Sequence, residues 1–247
     1  IAAARPIVTS INLDTGDLLR AVLRDRPGRV IFEGAQGLLL DADHGFWPYV
    51  TPSRTGPGQA EQLLAEAGAP PPPRLGVLRA YATRHGPGPF VSECAELTAR
   101  LPERHNADGP WQGPMRVGHF DLVAARHALA LCGPNHDAID AVVFTCFDRL
   151  ASLGPLAVCT GYRAPDGVVR HRLEASPSDP AAHRERSAEL LKTRPELLLR
   201  PQIADSGPSP PAASHARWLA DALERPLAGL AFGPSAADRV WSPSAAH

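Results

Sequence analysis

The residue types that could do chemistry concentrate in Val30-Ile31-Phe32-Glu33-Gly34-Ala35-Gln36-Gly37 and its continuation Leu38-Leu39-Leu40-Asp41-Ala42-Asp43-His44-Gly45. An apolar run that stops at Gly-Ala-Gln-Gly reads as a central α/β strand whose carboxyl end opens on a crevice, the usual place for ligands of such sheets. Gln36 would then face a ligand. Its carboxamide offers donors and an acceptor together, so it can read the mixed edge of a purine lactam, which a carboxylate or an amine alone cannot. The same pattern also fits a glycine-rich turn whose Gln satisfies backbone groups. Asp41, Asp43 and His44 have the donor types of a metal cluster, but a turn held by Asx hydrogen bonds is the favoured reading. Asp148, at the end of an apolar run, is either an open carboxylate or a helix cap. His119 and His127 fall on a helix at a spacing that fits ordinary packing.

Such residues need a frame. Asp14 or Thr15 can cap a helix through Asp17 to Leu23, which Pro27-Gly28 ends just ahead of the strand at Val30. Gln59 to Ala67 has a helical pattern, and Pro70 to Pro73 must be an extended connector, since four consecutive residues lack a backbone donor. Leu75 to Tyr81 reads as a strand, Asp121 to Leu131 as an apolar helix, and Ile139 to Phe147 and Leu156 to Tyr162 as buried strands. Strands alternating with helices predict an α/β fold, a mostly parallel sheet flanked by helices. Residues 164–213 are weakly patterned, an insert or linker apart from a helix near Ala188 to Leu199. There is no internal repeat.

Composition narrows the function classes. The 247 residues carry a formal net charge of -1, which argues against a reader of phosphate backbones, so nucleic acid is not an expected partner. No apolar run approaches the roughly twenty residues that span a bilayer, and Ile1 to Pro6 lack the order of a signal peptide. A soluble, cytoplasmic protein with no membrane partner is the expectation. Cys94, Cys132, Cys146 and Cys159 show no C-x-x-C spacing, which predicts reduced thiols and no metal cage. Lys192 is the single lysine, and its surroundings lack the glycines of a phosphate cradle. With Ile1 at the start, the chain reads as the carboxyl-terminal part of a longer protein, or as a processed one.

Phe32 to Gly45 and Pro48 to Thr51 read F-E-G-A-Q-G-x-L-L-D-x-D-H-G and P-Y-V-T. Gly76 to Arg84, Gly88-Pro89-Phe90 with Glu93, Gly118 to Ala124 and Thr145-x-x-Asp148 follow in order. Together these resemble the signature of adenylosuccinate synthetases, over roughly residues 14 to 170. Near the end, Leu230 to Pro234 is similar to the family's I-S-T-G-P segment. The resemblance implies a P-loop NTPase-like adenylosuccinate synthetase fold lacking its amino-terminal phosphate-loop half. Residues 1–247 would form the carboxyl-terminal part of one such domain.

In that family GTP, with Mg²⁺, phosphorylates the 6-oxygen of IMP, and the amino group of L-aspartate then displaces the phosphate in AMP biosynthesis. By resemblance, Gln36 stabilises the oxyanion that develops at the 6-position, and Thr51 helps bind the 5′-phosphate of IMP. Without the resemblance, Thr51 beside Pro52 reads as a strand-end or turn residue. Asp148 would accept from guanine N1 and N2, a bidentate pair that adenine cannot supply, and Gly233 would lie at the GTP site. The family's lysine two residues before that aspartate is Cys146 here. The family's T-T-G-R-x-R-R loop for the aspartate carboxylates reads Pro110 to Arg116, so Arg116 alone keeps its charge, and two functional arginines become Gly113 and Met115. Trp111 and Met115 could instead wall a different amine, or the loop has lost its function. The resemblance places the general base, the general acid and the Mg²⁺ ligands in an amino-terminal half whose motifs this sequence does not show. It implies a homodimer. The expected activity is thus a GTP-dependent ligase. The alternatives are a paralogue using another amine or purine, and an inactive purine-nucleotide-binding module.

Overall fold

The computed structural model describes residues 15–25, 30–103, 113–133, 139–174 and 179–242. Its frame is a parallel ladder. Strand β1 (Leu75–Arg79) pairs in parallel with β5 (Ala141–Thr145), and β5 pairs in parallel with β9 (Leu227–Ala231). An antiparallel strand, β10 (Arg239–Trp241), completes the sheet beyond β9. Val142 and Phe144 of β5 are fully buried, as the continuous apolar run of a central parallel strand requires. This is the mixed α/β fold, with a parallel main sheet and flanking helices, that the alternating pattern predicts.

After β1 the chain forms an antiparallel hairpin of β2 (Ala82–His85) and β3 (Met115–Gly118). A second sheet is built on β6 (Leu156–Arg163). It pairs in parallel with β4 (Phe120–Asp121) and antiparallel with β7 (Val169–Arg170) and β8 (Arg194–Arg200). Phe120, Phe144, Phe147 and Phe232 run through the core with consecutive ring centroids near 6 Å, at 5.8, 6.3 and 5.9 Å, and join the two sheets.

Helix ends follow sequence chemistry. Asp121 caps α4 (Leu122–Leu131) by accepting from the backbone of Ala124 at 2.9 Å. Asp179 and Ser209 do the same for α5 (Pro180–Leu190) and α6 (Pro210–Ala222), each followed by a proline at the first helical position. The remaining helices are α1 (Thr15–Asp25), α2 (Gly58–Glu66) and α3 (Ala95–Arg100).

Three expectations are corrected. The run at Val30 is not a sheet strand: residues 30–37 carry no strand and are exposed, with Ile31 at 84%. β propensity makes a strand only where a neighbour supplies hydrogen bonds, and no described strand lies beside this run. The helix placed near Ala188 to Leu199 ends at Leu190, and β8 follows from Arg194. Leu191-Lys192-Thr193 forms the turn between them, and Pro195 could not sit inside a helix. Residues 164–213, expected to be an insert or linker, carry β7, α5, β8 and the start of α6. The helix stop at Pro27-Gly28 and the Asp14 cap lie outside the described residues.

Candidate functional site

Parallel strands end on the same side, and the chain after each of the three meets there. Beyond β5, Cys146 adopts a left-handed conformation (φ 62°) that turns the backbone into a 3-10 turn over Phe147–Ser152. That turn carries Asp148 half-exposed, its carboxylate free of hydrogen bonds among the described residues. Beyond β9, Gly233 follows Phe232, whose ring packs edge-on against Phe147 at 5.9 Å. A Cβ at Gly233 would stand 2.6 Å from an Asp238 carboxylate oxygen, which is itself held by Ser235, so only glycine fits. Beyond β1 stand Ala80 and Tyr81. Arg149 lies 6.0 Å from the Tyr81 ring centroid and donates to the Pro102 carbonyl. Asp148 and Gly233 are thus brought to one edge, the crevice outside the strand ends where α/β sheets bind ligands.

The Gln36 side is organised by a buried carboxylate. Asp41 accepts from the backbone N–H groups of Asp43, His44 and Thr55 at 2.9, 3.1 and 2.6 Å. Burial by itself raises its pKa, but these donors outweigh burial and hold it below the ordinary value. The Asx-turn reading of Asp41, Asp43 and His44 therefore holds. Gly45 must lack a side chain, since a Cβ would meet the Asp41 and Leu39 carbonyls at 2.7 Å. The loop closes through Thr51 N–H to Leu40 O at 2.7 Å and Thr55 Oγ1 to Gly37 O at 3.2 Å. Gln36 stands at its mouth with φ 66°, exposed, and the half-buried Thr51 hydroxyl is free of protein partners among the described residues.

Arg84, a residue whose role the sequence did not reveal, ties this loop to the hairpin. It is buried, donating to the Tyr49 carbonyl at 2.9 Å and to the Pro87 carbonyl at 2.9 Å. Burial, then the neighbouring Arg116 charge, lowers its pKa to about 10. Its presence in the motif Gly76 to Arg84 was the only signal.

Arg116 is heavily engaged. It donates to the Gly86 and Gly88 carbonyls, pairs with Glu93 at 2.6 Å and lies over the Phe90 ring. Gly113 is left-handed (φ 72°) and its carbonyl meets His85 Nε2 at 3.0 Å. Met115 lies opposite His85 in the hairpin. Trp111 lies outside the described residues.

These features define a mixed α/β protein whose candidate ligand groups gather at the carboxyl edge of a parallel sheet and on a glycine-rich loop beside it. The adenylosuccinate synthetase family model matches residues 2–192. Adenylosuccinate synthetase of Edwardsiella ictaluri is 38% identical over 174 residues, which is 68% of this chain. The chain belongs to the adenylosuccinate synthetase family. It spans 38% of the length of that relative. A fully ligated adenylosuccinate synthetase from Plasmodium falciparum aligns with a TM-score of 0.74 at 22% identity, covering 93% of this chain and 54% of that one, and so establishes the shared fold.

Proposed function

We propose that this chain supplies the guanine side and the purine 6-oxygen side of a GTP-dependent ligase that joins an amine to IMP. The observation that carries the reading is Asp148, an open carboxylate in the turn after β5, at the sheet edge to which Gly233 also follows from β9. A carboxylate there accepts hydrogen bonds from two guanine N–H groups, a pair that adenine cannot supply, so it selects GTP over ATP. Gln36, displayed on its left-handed residue, would donate to the 6-oxygen of IMP as charge builds there during phosphorylation. Thr51, closed onto Leu40, would donate to the 5′-phosphate. The amine then attacks C6 and the phosphate leaves with the oxygen.

Family membership implies GTP and Mg²⁺. The described residues fit the base end of GTP. They do not fit a Mg²⁺ site, since no three carboxylate, imidazole or thiol groups converge among them, and no step is routed through the metal here.

Arg116 favours a second reading of the amino donor. With Gly113 and Met115 in place of arginines, Arg116 would have to exchange Glu93 for a substrate carboxylate. An amine without two carboxylates fits this loop better than L-aspartate does. A homodimer in the cytoplasm completes the proposal.

Calorimetric titration of the chain with GTP, ATP and IMP tests the guanine assignment. Asp148→Asn is expected to weaken GTP binding by about 10- to 100-fold, the range for losing a charged hydrogen-bond partner, and to spare IMP. Equal GTP affinity in the two proteins would remove Asp148 from the site.

A further inference from the structure

Helix α5 packs against the turn that leads to Thr51. Ser187, buried at 2% exposure, donates from Oγ to the Trp47 carbonyl at 2.8 Å, across 140 residues of chain. A serine inside a helix commonly bonds the carbonyl one turn back, but here the single hydroxyl proton goes to Trp47 instead. Three residues earlier on the helix, the Arg184 guanidinium lies over the Trp47 ring, 4.4 Å from its centroid. Three residues later, Leu190 is buried in one cluster with Phe46. One face of α5 therefore meets Phe46 and Trp47 through positions 184, 187 and 190. The next alternate residues are fixed by other elements. Arg84 of β2 holds the Tyr49 carbonyl at 2.9 Å, and the Thr51 N–H donates to Leu40 at 2.7 Å.

We propose that Ser187 and Arg184 are positioning residues for the phosphate of IMP: by holding Trp47 they set where the Thr51 hydroxyl stands. This deepens the proposed function and rests on its assignment of Thr51 to the 5′-phosphate. Without the Ser187 donor, the Trp47 carbonyl has to turn elsewhere for a partner. A turn at Trp47 is carried along the short segment to Thr51, because Tyr49 and Thr51 are anchored to different elements and cannot both keep their bonds. The anchored segment holds the hydroxyl ready before the ligand arrives, so binding does not have to order it.

Calorimetric titration with IMP and with inosine, which differ only by the phosphate, tests this. Ser187→Ala is expected to weaken IMP binding by about tenfold and to leave inosine and GTP unchanged. Arg184→Gln, at an exposed position that the fold does not need, is expected to weaken IMP by about 2- to 5-fold with the same selectivity. Once Thr51→Val has removed the hydroxyl, Ser187→Ala should cost IMP nothing more. Ser187→Thr, which keeps the donor, should bind IMP more tightly than Ser187→Ala. Hydrogen exchange of the Thr51 N–H should quicken about tenfold in Ser187→Ala, while Val143 in the core keeps its rate. If Thr51→Val weakens IMP and neither Ser187→Ala nor Arg184→Gln does, the positioning role is overturned alone. Equal losses of IMP, inosine and GTP, or a full further loss in the Thr51→Val background, would overturn it as well. No IMP binding by the wild-type chain, or wild-type IMP affinity in Thr51→Val, would instead remove the Thr51 assignment and this proposal with it.

Discussion

Asp121 is fully buried, caps α4 and accepts from the Tyr162 hydroxyl at 2.8 Å. Burial dominates its titration and raises its pKa to about 6, against the lowering effect of its donors. A carboxyl whose folded pKa is raised contributes stability that is present below about pH 4 and lost as pH rises through 6. Asp121→Asn removes that dependence. Its stability relative to wild type should therefore climb by about 3 kcal/mol between pH 4 and 7, read from urea melts at each pH. A flat difference would show that Asp121 does not titrate in that range. His127 and His215 run the opposite way, since burial lowers each to about 4, and their contribution is lost as pH falls from about 6.5. His127 stacks parallel on Phe46 at 6.0 Å, the packing role its helical spacing predicts. At this scale Asp148, Gln36 and Thr51 were named from motif and residue type. Arg84 was not, because its place in a motif does not say that it is buried and bonded to carbonyls.

Elements decide where those side chains stand. The β2–β3 hairpin hangs from the end of β1, and Arg84 on β2 reaches the Tyr49 carbonyl in the segment that leads to Thr51. Arg84→Met would leave the Tyr49 and Pro87 carbonyls without this donor while keeping most of the apolar stem. The expected cost is about 1–3 kcal/mol in unfolding free energy, with IMP binding weakened more than GTP binding. Equal losses for both nucleotides would mean that the hairpin does not position the Thr51 segment separately. Gly118, closing the hairpin, faces the Ser92 carbonyl so closely that a Cβ would stand 2.3 Å from it. Gly118→Ala must shift backbone, and is expected to destabilise by about 1–3 kcal/mol in the same melts. The 3.6-residue and continuous apolar patterns identified α2, α4, β1, β5 and β6. They failed for β8, whose Leu-Leu-Leu run has no period, and for Val30 to Phe32, beside which no described strand lies.

The larger of two buried clusters among the described residues joins both sheets, the hairpin and α6, with Phe144 fully buried in it. Phe144→Ala is expected to cost about 3–5 kcal/mol. Because both sheets share that core, fluorescence and circular dichroism should report one transition at a lower midpoint. Separate transitions would indicate two independently stable units. Among the described residues no helix is long and apolar enough to cross a membrane.

The order of motifs, the chemistry of Gln36 and Asp148, the helix caps and the alternation of strand with helix are local properties, written in residue type and spacing. They determined the family and the α/β class before any coordinates. The tertiary structure alone decided that Asp148 and Gly233, far apart in the chain, meet at one sheet edge, because parallel strands return to the same side. It also decided that Arg116 is occupied by Glu93 and two carbonyls, and that the β8 leucines lie on an open edge. Burial and pairing depend on distant neighbours, and a linear pattern carries no record of which neighbours arrive.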